Sequence, residues 1–300
     1  MTHTPRLFVP LITPFAADLS VDLPRLTAVA QRMLDDGADG LAPFGTTSEA
    51  TSMSVEERMA ALEALVAAGI APSCLIPGTG CAALPDTIRL TKHAVALGVR
   101  GTLTLPPFFY KPVSEEGVFD SYARVIEAVG PGLRLFLYHI PQMSGVAITV
   151  TLIGRLMEAF PGVVAGLKDS SGNWENTAAI IAAFPQIETY SASEALLSKN
   201  VAAGGAGCIS ASANVNAHGI AALIRGLGTA EEGKLQADAA AIRSLCEKLP
   251  LIPGVKAIVA RRMQDAGYAR VRPPLVAVGQ DHSDAVKKVA TLSYGESASV

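Results

Sequence analysis

The stretch Val163-Val164-Ala165-Gly166-Leu167-Lys168-Asp169-Ser170-Ser171-Gly172 decides how this chain is read. Its first five residues are apolar or glycine, which predicts a strand buried on both faces, as in a parallel sheet. The run stops at a lysine and passes into Asp, Ser and Gly, a loop composition. A cation at the end of such a strand is costly unless it is paired or gives up its proton. Only a neutral amine attacks a carbonyl, so Lys168 is a candidate Schiff-base nucleophile. Pairing with Asp169, or a stem laid along the strand with its head in water, also accounts for the lysine taken alone.

The same rhythm recurs on both sides of this run. Strand patterns at Leu7 to Ile12, Gly40 to Phe44, Cys74 to Pro77, Gly101 to Leu105 and Leu133 to Tyr138 precede it, and Ile187 to Tyr190 and Gly207 to Ile209 follow it. Helical patterns separate them: Asp22 to Leu34, a helix opened by the capping-box pattern Ser54-Val55-Glu56-Glu57, Pro85 to Leu97, and helices starting near Ser114 and Thr149. Eight strand signals with helices between them, at this length, predict an α/β fold of the closed (β/α)8 TIM-barrel type over residues 1–212. After it, Asn214 to Leu227, Ala230 to Lys248 and Val255 to Ala266 are helical without intervening strands. Residues 213–300 are therefore expected to add C-terminal helices that pack on the barrel as part of the same structural unit. Residues 295–300 are expected to fray.

Half of the residues are hydrophobic and only 17% are charged, which fits a buried sheet with subunit interfaces and excludes a disordered chain. The net charge of −3 without basic clusters argues against nucleic acid. No apolar run reaches membrane-span length and the N-terminus does not read as a signal peptide, so the expectation is a cytoplasmic protein that meets no membrane. Cys74, Cys81, Cys208 and Cys246 lack zinc-ligand spacing and are expected to be reduced thiols.

In a barrel, the loops after the strands' C-terminal ends form the active face. Four segments fall there: Gly45-Thr46-Thr47-Ser48-Glu49, Tyr138, Lys168 and Ile209-Ser210. The Gly-Thr-Thr-Ser segment offers hydroxyls and closely spaced N–H groups suited to a small carboxylate, although a hydroxyl-rich turn has the same composition. Tyr138 reads equally as a core tyrosine or a proton carrier.

Gly45 to Glu49, Tyr138-His139-Ile140-Pro141 and Gly166-Leu167-Lys168-Asp169-Ser170 occur in the order and spacing of a known family. With Gly78-Thr79-Gly80, Gly204-Gly205-Ala206-Gly207 and Arg272-Pro273-Pro274-Leu275, nearly the whole chain resembles the dihydrodipicolinate synthase/N-acetylneuraminate lyase family of class I, pyruvate-handling aldolases. The resemblance implies a carbon–carbon lyase with Lys168 as the imine-forming residue, Tyr138 as proton shuttle and Thr47 positioning the tyrosine hydroxyl. It further implies that Thr46 and Thr47 hold the carboxylate and that Ile209 contacts the keto acid through its backbone carbonyl. No metal or organic cofactor is implied, and the resemblance suggests a homotetramer built from dimers.

The departures bear on substrate. The synthases usually carry an arginine shortly after Tyr-x-x-Pro, and Met143 stands there; methionine cannot grip a carboxylate through two hydrogen bonds. The tyrosine that the synthase lends across a subunit interface falls at Phe109, with Tyr110 as a possible substitute that would contact substrate. Ile140-Pro141-x-x-Ser144-Gly145-Val146 is similar to the sialate-lyase branch and to sugar-acid aldolases. These points favour a hydroxylated 2-oxo acid as substrate, with Ser193 and Glu194 expected to face its tail, although Ser193 suits a helix cap as well. Dihydrodipicolinate synthesis, a dehydratase or hydratase-aldolase, and a catalytically silent keto-acid-binding protein remain alternatives. His139 is expected to make a structural hydrogen bond, and Glu49 to serve structure rather than catalysis.

Overall fold

A computed structural model describes residues 3–292; the frayed end expected at 295–300 lies outside the described residues. Seven parallel strands form one curled sheet: β1 (Arg6–Val9), β2 (Gly40–Leu41), β3 (Thr102–Thr104), β4 (Leu135–His139), β5 (Val164–Asp169), β6 (Glu188–Ser191) and β7 (Gly207–Ile209). Their order is β2-β1-β7-β6-β5-β4-β3, which leaves β2 and β3 at the two ends of the sheet.

The strand expected at Cys74 to Pro77 is not one. Pro72–Cys74 is a single 3-10 turn, and only isolated parallel bridges follow, Leu41 with Leu75 and Gly78 with Leu103. The segment nevertheless bonds to both ends of the sheet. Ile76 N–H donates to Leu41 O (2.9 Å) and Gly78 N–H to Pro43 O (2.7 Å), while Leu103 N–H donates to Pro77 O (2.9 Å). Pro77 has no N–H to contribute, so a continuous ladder cannot form through it. The fit is also tight, because a Cβ on Gly78 would lie 2.1 Å from Phe44 O, a space that only glycine leaves open.

Helices cover the outside of the sheet. The capping box at Ser54 is formed: Glu57 N–H donates to Ser54 Oγ (3.1 Å) and Ser54 N–H to the Glu57 carboxylate (2.9 Å). Asp22 and Thr149 cap the helices Leu23–Asp35 and Val150–Ala159 with their own side chains. Beyond β7 come the helices Ala213–Gly226, Glu232–Cys246, Leu251–Arg262 and Ser283–Leu292. Ala239, Val255, Ile258 and Val289 from this region share one buried cluster with Leu7 and Val9 of β1 and Leu26 of the first helix. A separate cluster fills the inside of the curl, with Phe8, Phe136, Tyr138, Tyr190 and Ile209 pointing into it. That interior is where an inward-facing polar side chain meets the mouth of the sheet.

Candidate active site

Lys168 sits one residue before the end of β5, paired in register with Tyr138 of β4 on one side and Tyr190 of β6 on the other. The strand therefore runs through Lys168 and Asp169 rather than stopping at Leu167. In-register neighbours in a parallel sheet point to the same face, so the lysine and Tyr138 project together. Lys168 Nζ lies 3.4 Å from Tyr138 Oη and 4.5 Å from the centre of its ring. Both residues are buried, at 5% and 3% exposure. Asp169 does not pair with the lysine. Its carboxylate accepts from Ser171 N–H, Asn176 Nδ2 and Thr177 Oγ1, each at 2.8 Å, and so pins the turn that follows the strand.

The third group comes from the loop after β2, and it is Thr46. Thr46 Oγ1 is 3.2 Å from Tyr138 Oη, which corrects the expectation that Thr47 positions the phenol. The reason is a tight turn, in which Ser48 and Ala50 N–H both donate to Gly45 O and Glu49 N–H donates to Thr46 O. That turn directs the two adjacent threonine side chains differently: Thr46 reaches the cavity, and Thr47 is buried. Burial alone would push the Tyr138 phenol up. The Lys168 charge and hydrogen bonds from Thr46, Lys168 and Ser170 outweigh it and hold the phenol below the ordinary tyrosine value.

A cavity of about 120 Å³ opens beside this trio. Thr46 and Tyr138 form its hydroxyl-bearing wall, and Leu105, Phe108, Ile140 and Met143 contribute apolar surface. Among the described residues lining it, none carries a formal charge. Met143 is at the rim, 62% exposed, where the residue chemistry offers no cation to a carboxylate.

The remaining expected site residues are placed as follows. Ile209 ends β7 with its side chain in the same interior cluster as Tyr138. Ser193 is a cap: its Oγ accepts from Ala195 N–H (3.3 Å). Glu194 is fully buried, and its carboxylate accepts from Ser210 Oγ and Ser212 Oγ (2.5 Å), with Arg243 Nη1 3.8 Å away. Neither residue lines the cavity, and Glu194 does not face a substrate tail as expected, because buried hydroxyl donors and a cation already claim its carboxylate. Tyr110 is likewise outside the cavity. It is 78% exposed and stacks edge-on against Phe109 at 5.5 Å, while Phe108 takes the inward place.

His139 makes the structural bond expected of it: Nδ1 accepts from Ile148 N–H at 3.1 Å, and burial holds the imidazole below its ordinary value although Asp169 opposes this. Glu49 is structural too, fully buried in an ion pair with Lys256 at 2.6 Å. Lys256 was not singled out by its sequence, although a lone lysine inside the apolar run Val255-Lys256-Ala257-Ile258-Val259 was a usable signal. Among the described residues no cluster of three or more His, Cys, Asp or Glu is arranged to hold a metal. The four cysteines are free thiols, and no helix of the described residues is long and apolar enough to cross a membrane.

Comparison with known proteins places these features in context. The model of the dihydrodipicolinate synthetase family matches residues 3–292. An "Uncharacterized DapA-like lyase" of Chloroflexus aurantiacus is 40% identical over 202 residues, 67% of either chain. A 4-hydroxy-tetrahydrodipicolinate synthase of Synechococcus sp. (strain CC9605) is 31% identical over 287 residues, covering 92% of this chain and 91% of the relative. The crystal structure of dihydrodipicolinate synthase from Agrobacterium tumefaciens superposes with a TM-score of 0.86 at 33% identity, covering 96% of this chain and 97% of that one.

Proposed function

This chain belongs to the dihydrodipicolinate synthetase family and is a carbon–carbon lyase, and on that premise we propose that it forms or cleaves the bond between pyruvate and an aldehyde through an imine on Lys168. The observation that carries the reading is the alignment of Lys168 Nζ, Tyr138 Oη and Thr46 Oγ1 beside the cavity, with successive separations of 3.4 and 3.2 Å.

The neutral amine of Lys168 adds to the ketone carbon of the keto acid, and the hydroxyl of the resulting carbinolamine takes a proton relayed by Tyr138 and leaves as water, giving a protonated imine. Electrons from the neighbouring C–H or C–C bond then flow into that imine to give an enamine. The proton released from that C–H bond, or from the hydroxyl that becomes the departing aldehyde, passes to Tyr138, whose phenol is held below its ordinary value, and in bond formation it returns to the aldehyde oxygen. The hydroxyls and N–H groups of Thr46 and Thr47 receive the carboxylate, and the carbonyl of Ile209 contacts the keto acid. No step calls for a metal or organic cofactor.

Met143 supports a substrate without a second carboxylate, and so a hydroxylated 2-oxo acid of the sugar-acid or sialate-like kind over dihydrodipicolinate synthesis. The apolar cavity walls favour a second reading, a hydratase-aldolase whose aldehyde has an apolar body. Rates with pyruvate and either a polyhydroxylated or an aromatic aldehyde separate the two. The same proposal takes residues 1–212 as a closed (β/α)8 barrel, with residues 75–79 completing the circle, and residues 213–300 as helices packed on it within one cytoplasmic unit. The exposed Phe109–Tyr110 pair supports assembly into a homotetramer.

The test is reduction with borohydride in the presence of pyruvate, followed by intact-mass and peptide mapping. A pyruvate adduct on Lys168 that disappears in Lys168→Ala, with the circular-dichroism spectrum unchanged, is the expected result. An unmodified lysine under conditions that trap a relative would favour a silent keto-acid-binding protein instead.

A further inference from the structure

The loop that carries Thr46 is bounded by two non-glycine residues in the left-handed region, Phe44 (φ 62°) and Glu49 (φ 57°). A side chain disfavours this conformation, so the surroundings must impose it. At Glu49 they are both from the C-terminal part of the chain. Lys256, in the helix Leu251–Arg262, is fully buried and donates to Glu49 Oε1 (2.6 Å) and to Thr13 O (2.8 Å). Arg272 N–H donates to the other carboxylate oxygen, Glu49 Oε2 (2.9 Å).

The arginine side chain continues the clamp. It donates to Ser52 O (2.6 Å) and to Leu19 O (2.9 and 2.6 Å), and pairs with Glu57 at the start of the next helix. Leu19 is itself left-handed (φ 67°). Both cations lie over the ring of Phe15, at 4.4 and 4.5 Å. Glu49 in turn donates its own N–H to Thr46 O (3.1 Å), and the next two residues, Ala50 and Thr51, line the cavity. A charge pair of this burial is weak evidence for stability, since apolar residues fill the same space at little or no loss. What apolar residues cannot do is hold the Glu49 carboxylate from two sides.

We propose that Lys256 and Arg272 are positioning residues for the imine chemistry: by gripping Glu49 they hold the Gly45 to Ala50 turn so that Thr46 Oγ1 faces the Tyr138 phenol. The reaction step it serves rests on the reading of Tyr138 as proton carrier given above, but the geometric claim is measurable without substrate.

The experiment is an ultraviolet difference titration of the Tyr138 phenol, with the other tyrosines removed by subtracting the same protein carrying Tyr138→Phe. It is run on the full chain and on Glu49→Ala, Lys256→Met and the double variant. Charge effects alone predict a fall in Glu49→Ala, which loses an anion, a rise in Lys256→Met, and little change in the double. Loss of positioning frees Thr46 from Tyr138 and raises the phenol in all three, by about half a unit to one unit in Glu49→Ala and the double. Pyruvate methyl-proton exchange in heavy water is expected to slow about tenfold or more in parallel, with the Lys168 adduct still formed. If Glu49→Ala lowers the phenol or leaves it in place, or if the double variant titrates as the parent does, the positioning role is wrong. Should the single variants fail to fold, the double, which leaves no unpaired buried charge, decides alone. A parent protein that forms no pyruvate adduct overturns the Schiff-base reading separately, because the titration involves no imine.

Discussion

Replacing Tyr138 with phenylalanine removes one oxygen and leaves the rest of the site in place. The ring packs in the interior cluster and carries Lys168 Nζ 4.5 Å from its centre, and phenylalanine keeps both contacts. What is lost is the hydroxyl with its two best-formed hydrogen bonds, to Thr46 Oγ1 and Lys168 Nζ. At about 0.5–1.5 kcal/mol net for each hydrogen bond, stability falls by roughly 1–3 kcal/mol at most. The chemical loss is larger: a positioned general acid–base contributes about 10²- to 10⁴-fold, or roughly 2.7–5.5 kcal/mol of barrier. Tyr138→Phe is therefore expected to slow pyruvate methyl-proton exchange, followed by NMR, by that factor while changing the pyruvate concentration for half-maximal borohydride trapping only a few-fold. An exchange rate within about threefold of the parent would refute the assignment of proton transfer to Tyr138. The same pair of proteins reports the phenol's ionisation, expected below 10.0. Because the folded value is depressed, its contribution to stability is present above the unfolded tyrosine value and is lost as pH falls through the Tyr138 value.

Three further outcomes follow from the geometry. Thr46→Val is expected to raise the Tyr138 phenol and slow exchange, whereas Thr47→Val leaves the phenol's titration unchanged; the reverse pattern would restore Thr47 as the positioning group. Met143→Arg supplies a cation at the cavity rim and is expected to improve kcat/KM for aspartate semialdehyde by about tenfold or more, and no improvement would show that a carboxylate does not bind at that rim. Gly78→Ala puts a Cβ 2.1 Å from Phe44 O and is expected to cost about 1–3 kcal/mol in urea unfolding, a value near zero meaning that residues 75–79 do not hold the two ends of the sheet together.

Local chemistry explains why the residues of the candidate site stood out in the sequence. A lysine after five apolar or small residues, a tyrosine at the end of Leu135 to Tyr138, and a hydroxyl-rich turn after Gly40 to Phe44 each stand out against a simple background. Period-two and period-3.6 patterns identified seven strands now paired in parallel and the helices between them. The eighth signal, Cys74 to Pro77, misled because apolar composition records burial, while strand assignment needs consecutive N–H donors that Pro77 interrupts.

Side-chain direction and long-range partnership are of a different kind. Thr46 and Thr47 are adjacent and chemically identical, so only the turn that Gly45 O organises could choose which of them meets Tyr138. Ser193 and Glu194 follow a strand as substrate-binding residues would, yet partners 16 to 49 positions away, Ser210, Ser212 and Arg243, turn the glutamate into the interior. Lys256 meets Glu49 across 207 positions. The sequence by itself determined the repeated strand–helix order, the family and the lysine and tyrosine at two strand ends, since these are written in short-range pattern and residue type. Only the tertiary structure decided which threonine meets Tyr138, where the acidic side chains point and what braces the loop, because those depend on atoms brought together by folding and on the backbone angles that folding imposes.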